Sequence, residues 1–433
     1  MRIAIDGYNF ALPNGTGISS YGMALAHTLR SMGHAVEGVF GIDVAGPAAH
    51  REALFYDRLA RPARRPKGLK RWLSATRLAT GAASFRVSSG GVDARSLAHR
   101  LPHFDALWSS PDLFERAQDY FRLTGRFTEL QIASPPDIMH WTYPVPVRVK
   151  GARNIYTLHD LVPLRLPFAT LDEKRLYRAL VGTCVAQGDH ICTVSEASRA
   201  DIIELLHADP GKVSNTYQVS TIDPAVIAED AAVSAETISA LFGLAPQGYY
   251  LFYGAIEPKK NLGRLIEAYL SLRLKAPLVI VAAKSWQSSA EVVLLPREDD
   301  PSGLRHEHLR DRVVQIDYLP RHLLLRLLRG ARALVFPSLY EGFGLPVLEA
   351  MSLGVPVLSS TTAAIREIAG EAAILVDPYV VAEIADALAR VDADAALRQS
   401  LATRGIARAA AFSESAYQRA LAEMYSKVLG ETS

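Results

Sequence analysis

Two carboxylates eight positions apart, Glu341 and Glu349, bracket the stretch Glu341-Gly-Phe-Gly-Leu-Pro-Val-Leu-Glu349. An ionised carboxylate only accepts hydrogen bonds, so each of these acids suits a pair of sugar hydroxyls. Between them, Gly342 and Gly344 lack a Cβ and let the backbone bend sharply and approach a ligand. Pro346 suits the first turn of a helix, where its missing N–H costs nothing. Unpaired amides at such a turn favour an anion, most often a phosphate. The pattern therefore predicts an acid in a loop, a phosphate-binding turn, and a second acid within the first turn of the following helix. A ligand with a hydroxyl-rich ring at each end of a phosphate fits that order: a nucleotide sugar.

The elements that must position these residues are legible around them. The apolar run Ala333-Leu-Val-Phe-Pro-Ser338 reads as a buried strand leading into the loop, and Gly354-Val-Pro-Val357 opens the next one. Short apolar runs alternate with amphipathic segments along the whole chain, which argues for parallel sheets covered by helices. In the first half, strands are expected at Arg2–Asp6, Ile138–Trp141, Asn154–Leu158, His190–Val194 and Lys212–Gln218. Helices there are expected at Ile18–Ser31, Leu171–Ala186 and Ser195–Leu206. In the second half, strands are expected at Tyr249–Tyr253, Leu278–Ala282, Val313–Ile316, Ala333–Phe336, Val355–Ser359 and Ala373–Val376. After Asn261, Leu262, Leu265, Ile266 and Tyr269 fall at the i, i+3, i+4, i+7 spacing of a core-facing helix. Patterning fades over Thr221–Gly248, which is read as an irregular boundary between two Rossmann-like halves. The last segment, from Phe412-Ser413-Glu414, carries Tyr417, Ala420, Leu421, Met424 and Val428 at helical spacing and reads as a serine-capped amphipathic helix.

The acid-bracketed segment, followed by Ala350-Met-Ser-Leu-Gly-Val-Pro-Val357, Ser359, Ser360, Ile365-Arg-Glu367, Gly370 and Val376-Asp-Pro378, resembles the donor motif of the retaining family 4 glycosyltransferases. That resemblance implies the α/β architecture called GT-B: two Rossmann-like domains facing a central cleft, with a C-terminal helix crossing back to the first domain. It places an acceptor-side domain at residues 1–225, with a basic insertion at about 45–135 and completion by 412–433, and a nucleotide-sugar-binding domain at 245–411. Ala255-Ile-Glu-Pro-Lys-Lys-Asn-Leu262 is similar to the family's Glu-Pro-Arg-Lys-Asn stretch, with Lys259 in place of the arginine. It also departs from many relatives in having Ala255, not a basic residue, after Gly254. The resemblance gives Lys260, with Lys259, the task of neutralising charge on the departing diphosphate. Glu341 would hold hydroxyls of the transferred sugar, Glu349 the ribose, and the backbone of Gly342, Phe343, Gly344 and Leu345 the phosphate. Asn14-Gly-Thr-Gly17 opens the first helix where relatives carry a glycine-rich turn, which puts Gly17 among the donor-binding residues. Thr157-Leu-His159-Asp160 closes a strand; in the family the histidine there approaches the transferred sugar, with Asp160 orienting the loop. Ser195 and Ser198 resemble a Ser-x-x-Ser turn and are expected only to line the site.

No carboxylate is an evident nucleophile, and the resemblance implies a retaining front-face displacement, in which the leaving phosphate helps deprotonate the acceptor. The Glu-Pro-Lys-Lys-Asn variant and the run His159-Asp-Leu-Val-Pro163 look most like bacterial mannosyl- and rhamnosyltransferases of O-antigen or exopolysaccharide assembly. The expected donor is GDP-mannose or a related GDP-hexose, and the acceptor a saccharide or lipid-linked saccharide. UDP-glucose transfer on the same fold and a GT-B nucleotide-sugar epimerase are the alternatives. The base is not read from any motif, although Tyr318–Arg321 and Lys284-Ser285 are placed to contact it. No further cofactor and no metal site is expected: Asp392-Ala-Asp394 reads as a helix cap, and His306 and His308, two apart, face different ways on a helix.

Composition narrows the partners. The 433 residues are ample for two cores, and 47 basic against 45 acidic residues leave +2, which argues against nucleic acid. The two cysteines, Cys184 and Cys192, fit two packed thiols in a reducing cytoplasm. The start reads as a short strand, not a leader, and no run of about eighteen apolar residues is present to span a bilayer. Residues 51–100 carry twelve Lys or Arg against three acids. The stretch Arg58–Trp72 within them is either a basic, apolar-interleaved face for anionic lipid at the inner membrane surface or a solvated lid.

Overall fold

The computed structural model of the chain describes residues 1–12, 17–60, 75–88, 92, 100–220, 222, 224–282, 312–317 and 319–430. Two compact units emerge. The first comprises Met1–Leu161, Asp172–Val219 and Glu414–Ser433; the second comprises Val162–Leu171 and Ser220–Ser413. The short segment Val162–Leu171 thus groups with the second unit, where the sequence reading had assigned it to the first.

In the first unit, Arg2–Asp6 lies inside a sheet because Ile3, Ala4 and Ile5 are apolar on both faces and each is wholly buried. The order runs Val213–Asn215, His190–Thr193, Arg153–Thr157, Ile138–Trp141, Arg2–Asp6, Ala35–Phe40, Ala106–Ser109 and Phe85–Val87. Only the last pairing is antiparallel. The strands at Ala35–Phe40 and Ala106–Ser109 had no counterpart in the sequence reading. Glu37 interrupts the apolar pattern of the first, yet it is buried, because Arg2 Nε and Trp108 Nε1 each donate to it at 2.8 Å. The helix Glu414–Leu429 buries Tyr417, Leu421, Met424 and Tyr425 within this unit, and Gln418 Nε2 donates to Ser31 Oγ at 3.0 Å.

The second unit holds a parallel sheet ordered Val313–Ile316, Leu278–Val281, Tyr250–Tyr253, Ala333–Phe336, Val357–Ser360 and Ile374–Val376. The boundary expected to be irregular is helical instead, at Pro224–Ala228 and Ala231–Phe242. Asp230 caps the longer helix by accepting from Ala232 N at 2.9 Å, and Gly243 ends it in the left-handed region at φ 65°. Glu229, before that cap, is held by the Arg326 guanidinium.

Parallel strands share one carboxyl edge, and ligands of open α/β sheets bind there, where the strand order reverses. In the second unit the chain runs outward from Tyr250–Tyr253 in one direction and from Ala333–Phe336 in the other. The reversal therefore falls between these two strands. In the first unit it falls between Arg2–Asp6 and Ile138–Trp141.

Candidate active site

The loops leaving the two reversal strands of the second unit carry Lys260 and Glu341. Lys260 Nζ lies 2.7 Å from Glu341 Oε1 and 4.7 Å from the centre of the Phe336 ring. Both side chains are largely enclosed, 14% and 9% exposed. Burial alone would push the Glu341 carboxyl up, but the charges of Lys260 and Lys259 outweigh it and hold the group below its ordinary value. Glu341 is thus an anion and a pure acceptor.

Asn261 fixes this geometry. Its backbone is left-handed, at φ 61°, which an asparagine tolerates better than most residues. Its side-chain amide donates to Pro337 O at 3.0 Å and Pro378 O at 2.7 Å, and Leu339 N donates to Lys259 O at 2.7 Å. Three loops of the carboxyl edge are thereby tied together, with Lys260 turned onto Glu341.

Beyond Glu341 the chain turns at Gly344, where φ is 98° and an added Cβ would stand 2.5 Å from Ile365 Cδ1, so glycine is required. Leu345 opens the helix Leu345–Ser352 with Pro346 in its first turn. Phe343 is not a surface contact: its side chain is buried edge-on against Phe412, 5.8 Å between centroids. Glu349 corrects the sequence reading too. No acid occupies the helix's first turn; Glu349 lies beyond it, wholly buried. Its carboxylate accepts from Arg321 Nη2 at 2.5 Å, Arg321 Nη1 at 3.1 Å and Tyr253 Oη at 2.5 Å. Burial and the neighbouring Glu349 charge keep the Tyr253 phenol protonated and donating.

In the first unit, Asp6 ends the central strand; Thr142 N donates to it across the reversal point, and Tyr8 N donates to it from two residues on. Burial lifts Asp6 to about 6 in spite of those amides. The carbonyl of Thr142 in turn accepts from His159 Nε2 at 2.9 Å, and the His159 ring stands edge-on to Tyr21 at 4.7 Å. A carbonyl can only accept, so Nε2 carries the proton and Nδ1 is left with a lone pair. Burial holds His159 below its usual pKa, against smaller upward pulls from the Thr142 carbonyl and Asp160, so the ring is neutral at pH 7. Ser198 Oγ donates to His159 O at 2.9 Å, and Ser195 caps the helix Glu196–Leu206 by accepting from Ser198 N at 3.0 Å. The Ser-x-x-Ser turn therefore seats the histidine. Asp160 offers its backbone carbonyl to Tyr177 Oη at 3.1 Å. Gly17 begins the helix Gly17–Ser31 and is exposed.

Other expected residues fall elsewhere. Asp394 caps the helix Ala395–Ala409, accepting from Leu397 N at 2.8 Å, while Asp392 binds Tyr250 Oη and Arg332. Lys284, Ser285, His306, His308, Tyr318, Asn14 and Gly15 lie outside the described residues, as does the basic stretch beyond Ala60. Arg58, at its start, is paired with Asp43. Arg321 had been named only as the end of the stretch Tyr318–Arg321 expected near the base, and Tyr253 only as the end of its strand; no sequence signal tied either to Glu349, which each meets through the fold.

Residues 243–408 match the family model described as glycosyl transferases group 1. Over 268 residues the chain is 31% identical to the O-antigen chain mannosyltransferase B of Escherichia coli, covering 60% of this chain and 67% of that one. The chain belongs to the group 1 glycosyl transferases. This glycosyltransferase is also 29% identical over 285 residues to the serotype-specific mannosyltransferase WbdA of Escherichia coli, where it spans only 33% of the relative's length. In fold it is similar to the solved sucrose-phosphate synthase of Thermosynechococcus elongatus, with a TM-score of 0.65 and 17% identity over the full length of both chains. The two Rossmann-like units are those of the GT-B fold. Among the described residues no helix is long and apolar enough to cross a membrane.

Proposed function

We propose that this transferase moves a hexosyl residue, mannose or a deoxyhexose such as rhamnose, from a GDP-sugar to a saccharide or lipid-linked saccharide during synthesis of a bacterial surface polysaccharide. The observation that carries this reading is the Lys260–Glu341 pair at the point where the second sheet reverses its strand order. Lys260 meets the diphosphate and stabilises it as it leaves; Glu341, relieved of the cation, accepts hydroxyls of the sugar. The Gly342–Leu345 backbone lies against the same phosphate, and Lys259 adds a second positive charge. His159 Nδ1 accepts a hydroxyl of the transferred sugar. Retention follows from front-face attack, with the leaving phosphate oxygen taking the acceptor's proton. Likeness to two proteins named as mannosyltransferases supports mannose over glucose. Work on a lipid-linked acceptor would place the protein at the inner face of the membrane, with the basic stretch ending at Trp72 on anionic headgroups; Arg58 itself is engaged by Asp43.

The test is transfer of labelled mannose from GDP-mannose to an O-antigen-type lipid-linked acceptor, with anomer-resolved analysis of the product and UDP-glucose as the competing donor. Retained configuration with GDP-mannose supports the reading. An inverted product, or turnover of the donor into an epimer without acceptor, refutes it.

A further inference from the structure

Asp6, Thr142 and His159 cross the carboxyl edge of the first sheet in a row. Each belongs to one of the adjacent strands Arg2–Asp6, Ile138–Trp141 and Arg153–Thr157, or to the loop that strand opens. The register pairs Ile5 with His140, so the Asp6 carboxylate reaches the residue just past the end of the neighbouring strand. Thr142 meets it with two donors, its backbone N–H and its hydroxyl. On the far side of the same residue, the Thr142 carbonyl takes the Nε2 proton of His159 at 2.9 Å. Ser198 holds the histidine's own carbonyl, and Tyr21 stands edge-on to its ring. Among the described residues, Thr142 is the partner of a His159 ring nitrogen.

For stability alone, an acid is an unfavourable choice at position 6. It is 1% exposed, and no cation among the described residues pairs with it. Burial outweighs the donors and lifts the carboxyl from 3.8 to about 6. A group raised on folding contributes stability that is whole below 3.8 and is lost as pH rises through about 6. At neutral pH the fold would be better served by an uncharged side chain. An ionised carboxylate, by contrast, accepts from every donor turned toward it and holds each more strongly than a neutral acceptor does.

We propose that Asp6 is a positioning residue for the transfer reaction, acting on His159 through the main chain of Thr142. By anchoring Thr142 it fixes the place of that residue's carbonyl. The carbonyl in turn sets the tautomer and orientation of the His159 ring, which leaves Nδ1 as the acceptor for a sugar hydroxyl. The inference rests on the role proposed above for His159. No charge from another element enters the Asp6 shift. Of the other titratable side chains at this end of the sheet, burial pushes Tyr21 and Tyr143 above their ordinary range and His140 and His159 below theirs. Asp160 acts on His159 and Tyr143, not on Asp6.

Two measurements on the full chain test this. In nitrogen-15 spectra of histidine-labelled protein, the His159 signals are those lost in H159Q. They should show Nε2 protonated in the wild type at neutral pH and a mixture of tautomers in D6N. A His159 spectrum that D6N leaves unchanged overturns the proposal, whatever the substrate. In transfer from GDP-mannose, D6N should lower kcat about tenfold while KM and GDP affinity change by less than about twofold. Its melting temperature at neutral pH should stay at the wild-type value, the cost of the buried charge having gone. The wild type should lose kcat below about pH 6, and D6N should not, because its amide does not titrate. D6N/H159Q should be no slower than H159Q, since Asp6 acts through the histidine. If D6N does not fold, T142V removes only the hydroxyl given to Asp6 and should show the same pattern at about threefold. Losses of D6N and H159Q that multiply in the double variant, or a D6N with the wild-type kcat and pH profile, overturn the proposal. A wild type that transfers neither mannose nor glucose overturns the proposed function instead, and the histidine spectrum then decides the role of Asp6.

Discussion

Lys260 Nζ sits 2.7 Å from Glu341 Oε1, so the cation assigned to a diphosphate rests on the acid assigned to a sugar. The two belong to loops that leave adjacent strands, and Asn261 holds those loops together. On the proposed function, binding a donor would exchange one ion pair for two contacts to the same molecule.

Removing the cation should be felt in the chemical step. K260M is expected to lower kcat by about 10²–10³-fold, with a smaller change in KM, because charge on the leaving diphosphate grows toward the transition state. Steady-state rates with GDP-mannose check this. A loss confined to KM would show that Lys260 only binds.

Asn261 should matter without touching substrate. N261A loses two buried donations, at about 1 kcal/mol each or more where a carbonyl is left unpaired, and adds strain at φ 61°. N261G removes that strain but keeps the loss. A fall in melting temperature and in turnover shared by both variants would locate the effect in the side-chain amide; full recovery in N261G would locate it in the backbone.

His159 donates from Nε2 to Thr142 O, and Nδ1 is the acceptor proposed for a sugar hydroxyl. H159Q retains a donor near the Nε2 position and removes the acceptor at Nδ1. The expected outcome is an unchanged melting temperature with transfer reduced about 10²-fold. Equal losses of stability and activity would make the histidine a strand cap and nothing more.

His140 gives the first unit a pH-dependent stability. It is fully buried between Tyr425 Oη at 2.7 Å and Thr157 Oγ1 at 2.8 Å, and burial, with smaller contributions from His159 and His190, lowers it to about 3. The unfolded chain takes up this proton near pH 6.5, while the folded chain does not until far lower. Stability is therefore whole above 6.5 and falls as pH drops toward 3, by up to about 1.4 kcal/mol per pH unit. Urea midpoints between pH 7 and 4 should show this slope, and H140Q should flatten it. An identical slope in both proteins would assign the acid sensitivity to other groups.

The strands of the second sheet were legible because they are continuous apolar runs, from Tyr250-Leu-Phe-Tyr253 to Ala333-Leu-Val-Phe336, whereas their order comes only from the fold. Local chemistry also showed the turn at Gly344 and Pro346 in the first turn of the following helix. What could not be read was whatever depends on a distant partner. Glu37 looks like a surface residue until Arg2 and Trp108 are brought to it. Glu349 reads as an available acid until Arg321 and Tyr253 arrive from two other elements to cover it. The boundary at Pro224–Gly243 was missed because helix Ala231–Phe242 buries only Ser234 and Ile238, too narrow a stripe to stand out as a period.

The most direct measurement compares GDP and GDP-mannose affinities in the wild type and in E341Q. If Glu341 grips the sugar while Lys260 grips the diphosphate, the wild type binds GDP-mannose more tightly than GDP. E341Q should lose that advantage and still bind GDP at least as well, its lysine having been released. An E341Q variant that weakens GDP and GDP-mannose by the same factor would contradict the account.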